Sequence, residues 1–327
     1  MLGNYLWRPR RMSALVLVAM SVLALAGCSE DEAADVTATA EGTPSATAAT
    51  ATATATVTTI EVTDSSGETI VLEAPAVRIV SHSPAATEIL FAIGAGDAVV
   101  AADEFSNYPP EAESLPKVTY STPDPEQDLG FDPDLVIFAG RQESSLAHFR
   151  ELELRVFYLE EPSNLEGVFE NIRTLGVLTG REAEAESVVA EMQATLDEVA
   201  AAIADVEEGP VVFYELTEDL YTVSPNSFIG AALSFVKARN VAEGVDGDFP
   251  QLTSEAIVEA NPDVILMADA DFVDPASVPE RAGWSAITAV TEGQIHPVDG
   301  DIMSRPGPRI VDGIADLARL LYPDRFE

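Results

Sequence analysis

Two glutamates occupy matched places in the two halves of this 327-residue chain. Glu126 precedes Asp132-Pro133-Asp134-Leu135-Val136-Ile137, and Glu255 precedes Asn261-Pro262-Asp263-Val264-Ile265-Leu266, each seven residues ahead of its proline. In both copies the proline closes a helix and sets up a strand, because it lacks an N–H and pushes the residue before it out of the helical region. Each glutamate therefore opens a helix, where the macrodipole favours its charge. Paired carboxylates have two chemical uses. One is acid and base in a hydrolysis, which requires both to flank one bond. The other is ion pairing with two cations of a partner. Helix starts in separate halves argue against the first, and a matched pair suits a symmetric partner.

Other reactive constellations are missing from the sequence. It contains no Gly-x-Ser-x-Gly elbow, no glycine-rich phosphate loop followed by lysine and no His-Glu-x-x-His, so no enzyme activity is expected. The histidines are His82, His148 and His296. A zinc or manganese site needs several histidines with a carboxylate. Here His148 falls in a helix and His296 in a strand of the other half, so no such site is expected. His82 stands at a helix start, where an ordinary hydrogen bond competes with a role as axial ligand to cobalt or haem iron.

Strands alternating with helices position these residues. Glu61 to Glu73 reads as a hairpin around Ser65-Ser66-Gly67. Arg78-Ile79-Val80 is a strand running into Ser83, a cap, and Pro84, at the first helical position. Further strands are Ala98–Val100, Leu135–Phe138 and Arg155–Tyr158, with a helix over Ser144–Leu152. The second half offers strands at Val211–Tyr214, Leu220–Val223, Val264–Met267 and Gln294–Val298, and helices at Phe228–Lys237 and Ile310–Leu321. Continuous apolar strands such as Leu135-Val136-Ile137-Phe138 belong in sheets covered on both faces, so the fold class is α/β with mostly parallel sheets. Between the halves, Ser163 to Val206 reads as two helices. Ser163 with Glu166 forms a capping box, Gly180 stops the first helix, and Ala185, Val188, Val189, Met192, Leu196, Val199, Ile203 and Val206 stripe the second. That second helix, roughly 35–40 Å long, suits a strut between lobes. The chain thus divides into an N-terminal lobe (60–162), a helical segment (163–208) and a C-terminal lobe (209–327).

The first 59 residues belong to neither lobe. Arg8, Arg10 and Arg11 precede an apolar run, Ala14–Ala26, too short to span a bilayer comfortably. Residues 1–27 read as a signal peptide, and Leu25-Ala26-Gly27-Cys28 resembles the lipobox of bacterial lipoproteins. Cys28, the only cysteine, would carry the lipid and anchor the protein at the extracytoplasmic face of the membrane. Residues 28–59, rich in alanine and threonine, bury too little to offset their ordering entropy and form a tether. With 56 acidic against 17 basic residues the formal charge is −39, which excludes nucleic acid and electrostatic binding to anionic lipid.

Arg78-Ile79-Val80-Ser81, Pro84-Ala85-Ala86-Thr87-Glu88-Ile89-Leu90-Phe91, Gly94-Ala95-Gly96-Asp97, Tyr108-Pro109-Pro110, Leu115-Pro116-Lys117-Val118 and the two Pro-Asp strands occur in that order. They resemble the class III periplasmic binding proteins of ABC importers for cobalamin, ferric siderophores and haem, over roughly Val62–Tyr322. The resemblance implies two lobes joined by one long rigid helix, with a bulky metal chelate in the cleft between them. It also implies that Glu126 and Glu255 pair with arginines of the dimeric permease, which works with its ATPase. The stretch Asp301–Ile310 is most similar to cobalamin-binding members; siderophore and haem binding stay open. In this class, strand-end loops supply the pocket: His82, Phe105, Tyr108, Arg141, Tyr214, Tyr221, Asn226, Phe228, Asp301, Met303 and Arg305. Aromatics suit a corrin or porphyrin face, while Arg141 and Arg305 can clamp carboxylates instead. Arg309 is assigned to a structural ion pair. The expected protein is a monomer without a cofactor, held at the membrane only by its lipid; a sensor or adhesin without a transporter, or a hydrolase, is the remote reading.

Overall fold

The computed structural model describes residues 59–326, so the signal peptide, Cys28 and nearly all of the tether lie outside the described residues. The described part begins with an antiparallel hairpin, β1 (Ile60–Thr63) and β2 (Thr69–Leu72). The first lobe follows: β3 (Ile79–Ser81), α1 (Pro84–Ala92), β4 (Val99–Asp103), α2 (Pro110–Glu113), β5 (Lys117–Val118), α3 (Pro125–Leu129), β6 (Leu135–Ala139), α4 (Glu143–Glu151) and β7 (Val156–Leu159). Its strands are all parallel, in the order β5-β4-β3-β6-β7. As the sequence suggests, the Ser83 hydroxyl accepts from the Ala86 amide at 3.2 Å and Pro84 opens α1.

Two helices, α5 (Leu165–Thr179) and α6 (Glu182–Ala202), lead to the second lobe. That lobe comprises β8 (Val211–Glu215), α7 (Phe228–Phe235), β9 (Arg239–Asn240), α8 (Ser254–Ala260), β10 (Val264–Met267), α9 (Thr288–Thr291), β11 (Ile295–Pro297), α10 (Gly300–Ser304) and α11 (Ile310–Leu321). Its parallel sheet has the order β11-β10-β8-β9. In both sheets the winding reverses beside the first strand, at β3/β6 and at β8/β10. Such reversal points open a crevice at the carboxyl ends of the strands, where ligands of α/β proteins bind.

Three local expectations need correction. Asn164, not Ser163, caps α5: its side chain accepts from the Gly167 amide at 3.0 Å, so glycine takes the place that a capping-box glutamate would need. The second helix stops at Ala202, short of Val206. The Lys237 ammonium there donates to the carbonyls of Ile203, Ala204 and Val206, satisfying the helix end with charge rather than with further turns. Leu220–Val223 joins no sheet. Leu220 has φ +66, which turns the chain, and Tyr221 makes a single antiparallel bridge to Gln251.

The link between the lobes is a helical hairpin. Gly180 takes the left-handed conformation, φ +65, that lets α6 fold back along α5. Gly176 lets them touch: a Cβ there would lie 2.7 Å from that of Ala185. Helix α5 lies against α1 and β1 on one side and α7 on the other, and α6 lies against α11. Apolar residues of both lobes and both helices consequently form one continuous core, including Ile89, Ile137, Ile172, Leu175, Val189, Leu196, Tyr214 and Ile314. The outer sheet faces carry smaller cores around Phe138 and Phe149, and around Phe213 and Trp284. At ~1.5–3 kcal/mol for each large apolar side chain buried, the shared layer opposes independent movement of the lobes.

Candidate functional site

A cleft open to solvent lies at the carboxyl edge of the first sheet. Its floor is the reversal point: Ser83–Ala86 after β3 and Ala139–Gly140 at the end of β6. Phe105 follows β4, Tyr120 follows β5, and Leu159, Glu160 and Glu161 close β7. Asn171 comes from α5. The second lobe contributes Asp301 and Ser304 of α10, with Arg305 and Pro306 behind it. The Phe105 and Tyr120 rings meet edge to face, 5.6 Å between centroids, making an aromatic wall.

Buried polar groups hold that wall. Asp103, fully buried at the end of β4, accepts from the Phe105 amide at 2.9 Å and the Ser106 hydroxyl at 2.5 Å. Burial pushes its carboxyl up, partly offset by those donors. The Lys117 ammonium ties the same loop through the carbonyls of Ser106 and Ala112. On the opposite side Arg305 spends its guanidinium on Glu88 (2.9 Å), Asn107 (2.7 Å), the Phe105 carbonyl (3.0 Å) and Asp301 (2.7 Å). Arg309 adds a second pair to Glu88 at 2.5 Å and lies over the Tyr108 ring at 4.0 Å. Glu88 belongs to α1 of the first lobe, and Arg305 and Arg309 to the second. The ion-pair expectation for Arg309 thus finds its partner. Exposed Glu160, Glu161 and Asp301 leave the cleft rich in acceptors. Arg305 is its one cation among the described residues, and both of its terminal nitrogens are engaged.

Of the pocket candidates, Phe105, Asp301 and Arg305 line this cleft. His82 does not. It is fully buried, stacked on Phe138 at 4.4 Å and edge-on to Phe149 at 5.6 Å, with Nε2 on Asp128 at 2.8 Å. Axial ligation by His82 is therefore corrected: the core encloses the ring. Tyr214 and Met303 are core residues as well, at 1% and 2% exposure. The Tyr214 hydroxyl is pushed well above its usual range, chiefly by burial. Phe228 is half-buried against the shared core. Exposed Tyr108, Tyr221 and Asn226 lie outside the cleft lining, Tyr108 engaged instead by Arg309. Gly140 lines the cleft, but the side chain of its neighbour Arg141 lies outside the described residues. Sequence reasoning missed Tyr120, Glu160, Glu161 and Asn171. Three of these follow directly on strand ends, and that position was the available signal.

Glu126 and Glu255 are exposed in the first turns of α3 and α8. Asp124 caps the first helix through the Glu126 amide at 3.0 Å, and Thr253 caps the second through the Ala256 amide at 3.2 Å. Among the described residues no cluster of His, Cys, Asp and Glu could hold a metal ion, and no helix is long and apolar enough to cross a membrane.

The fold is similar to that of known proteins. Residues 79–301 match the family model described as periplasmic binding protein, and the chain belongs to that family. It is similar to YvrC of Bacillus subtilis, an uncharacterised ABC transporter substrate-binding lipoprotein, with 31% identity over 82% of this chain and 87% of that protein. A cobalamin-binding protein of Halobacterium salinarum shares 32% identity over 79% of this chain and 73% of its own. Among solved structures, the periplasmic heme-binding protein RhuT of Roseiflexus sp. RS-1 superposes with a TM-score of 0.69 at 25% identity, covering 77% of this chain and 99% of that one.

Proposed function

We propose that this protein is a lipid-anchored substrate-binding protein that captures a corrinoid of the cobalamin type in its cleft and delivers it to an ABC importer. The single observation that carries the ligand choice is the acceptor-rich lining. Glu160 and Glu161 offer carboxylate oxygens beside the Phe105–Tyr120 wall, whereas Asp301 is already paired with Arg305, whose two terminal nitrogens are engaged by Glu88, Asn107, the Phe105 carbonyl and Asp301. A corrin presents a broad apolar face bordered by amide N–H donors, which suits this wall. A haem or ferric siderophore bearing free carboxylates would meet like charge. The resemblance to the Halobacterium cobalamin-binding protein supports the same choice.

The mechanism is capture without chemistry. The ligand buries its face against Phe105 and Tyr120, and its edge donates to the carboxylates. The continuous core through α5 and α6 keeps the lobes nearly fixed, so affinity comes from a preformed cleft. Glu126 and Glu255, one on each lobe, engage cations of the permease. Anchoring through Cys28 rests on the lipobox and on the lipoprotein likeness of YvrC. Calorimetric titration of the full chain with cyanocobalamin, haemin and a ferric siderophore tests the reading: one cyanocobalamin should bind per chain, more tightly than the others. Tightest binding of haemin or the siderophore would overturn it.

A further inference from the structure

The helices that carry Glu126 and Glu255 are too short to hold themselves. Helix α3 has five residues and α8 has seven, whereas isolated helices below ~12–15 residues are marginal in water. Side-chain attachments replace length. In the first lobe the Asp128 carboxylate, two residues beyond Glu126, meets His82 Nε2 at 2.8 Å with both groups fully buried. His82 is itself fixed: its amide donates to the Ile137 carbonyl at 2.8 Å and its ring is packed by Phe138 and Phe149. It directly precedes Ser83, on the cleft floor.

The second lobe repeats the arrangement with different chemistry. Ser254, next to Glu255, accepts from Trp284 Nε1 at 2.7 Å. Trp284 is buried and carries the Arg281 guanidinium 4.7 Å from its ring centroid. Arg281 in turn grips Glu215 with both terminal nitrogens, at 2.5 and 2.6 Å. Glu215 ends β8, as His82 follows β3. Each attachment thus starts at the strand where its sheet reverses and ends on the helix bearing the exposed glutamate.

We propose that Asp128 and Ser254 are positioning residues for importer docking: they fix the direction in which Glu126 and Glu255 leave their lobes, and so the geometry of the two carboxylates offered to the permease. This rests on the docking role proposed above. The path from Ser83 through His82 to Asp128 also connects the cleft floor to the first docking helix.

The test uses full-length protein and a cobalamin-importing permease–ATPase complex in proteoliposomes, reading the binding-protein concentration that half-maximally stimulates ATP hydrolysis. D128A and S254A should each raise it on the order of tenfold, with the dissociation constant for cyanocobalamin unchanged. D128N and S254T, which keep a hydrogen-bonding oxygen, should recover most of the loss. Should D128A fail to fold, S254A and S254T decide the matter. Wild-type stimulation by S254A, or loss without recovery in S254T, overturns the positioning role. E126A and E255A separate the two readings: if they stimulate normally, the docking role itself fails, whereas their failure beside normal S254A sinks only the positioning.

Discussion

Arg305 and Glu88 lie 217 residues apart in the chain and 2.9 Å apart in the structure. Their contact joins the lobes at the edge of the cleft, with Arg309 on the same carboxylate and Asn107 bridging Arg305 to Asp301. Both partners are almost entirely buried, at 9% and 2% side-chain exposure.

Removing Glu88 would strand the Arg309 guanidinium and leave Arg305 only the exposed Asp301 as a charged partner. A broken buried pair costs ~3–5 kcal/mol, largely because the remaining charge loses its counterion. E88A is expected to lower the unfolding free energy in urea by about that amount, and E88Q by less, since its amide oxygen still accepts a hydrogen bond. Equal stability of E88A and the wild type would remove the clasp as an element holding the lobes.

Asp269 predicts a pH dependence of opposite sense to the usual carboxylate. It is 6% exposed and lies beside Glu215. Burial, then the Glu215 charge, raises it from 3.8 to about 6. A raised folded-state value means that the fold favours the neutral acid. Its stabilising effect is therefore complete below the unfolded value and is lost as pH rises through about 6. D269N should melt higher than the wild type at pH 8, with the gap closing towards pH 4. A gap that widens on acidification would refute the assignment.

Phe105 and Tyr120 supply the apolar wall, so F105A and Y120A should each weaken cyanocobalamin binding by about tenfold, the equivalent of ~1.4 kcal/mol, without lowering melting temperature much. Calorimetry checks both. Undiminished affinity in the two variants would put the ligand elsewhere.

E126A and E255A should leave cyanocobalamin affinity intact and abolish uptake into proteoliposomes containing the importer, because both carboxylates lie outside the cleft lining. Uptake at the wild-type rate would remove the docking assignment.

The parts legible in the sequence are those governed by neighbours along the chain. The cap at Ser83-Pro84, the stop at Gly180, the continuous apolar strand Leu135–Phe138 and the bounds of α11 at Ile310 and Leu321 all follow from local rules. Long-range pairing is not written locally. Arg305 carries the features of a ligand clamp until Glu88 is found beside it, and His82 those of an axial ligand until Phe138 and Asp128 enclose it. Leu220–Val223 has a strand's composition, but the positive φ at Leu220 directs it away from the sheet. Tyr120 and Glu161 carry no motif; only their places after β5 and β7 bring them to the cleft.

The central claim is that the cleft between Tyr120, Glu161 and Asp301 selects an amide-bordered corrin over carboxylate-bearing chelates. It is tested most directly by incubating the full-length protein with equimolar cyanocobalamin and haemin, desalting, and recording the visible spectrum. The account predicts a corrin spectrum at one equivalent per chain, lost in an F105A/Y120A double variant. A haem Soret band retained in place of the corrin would contradict it.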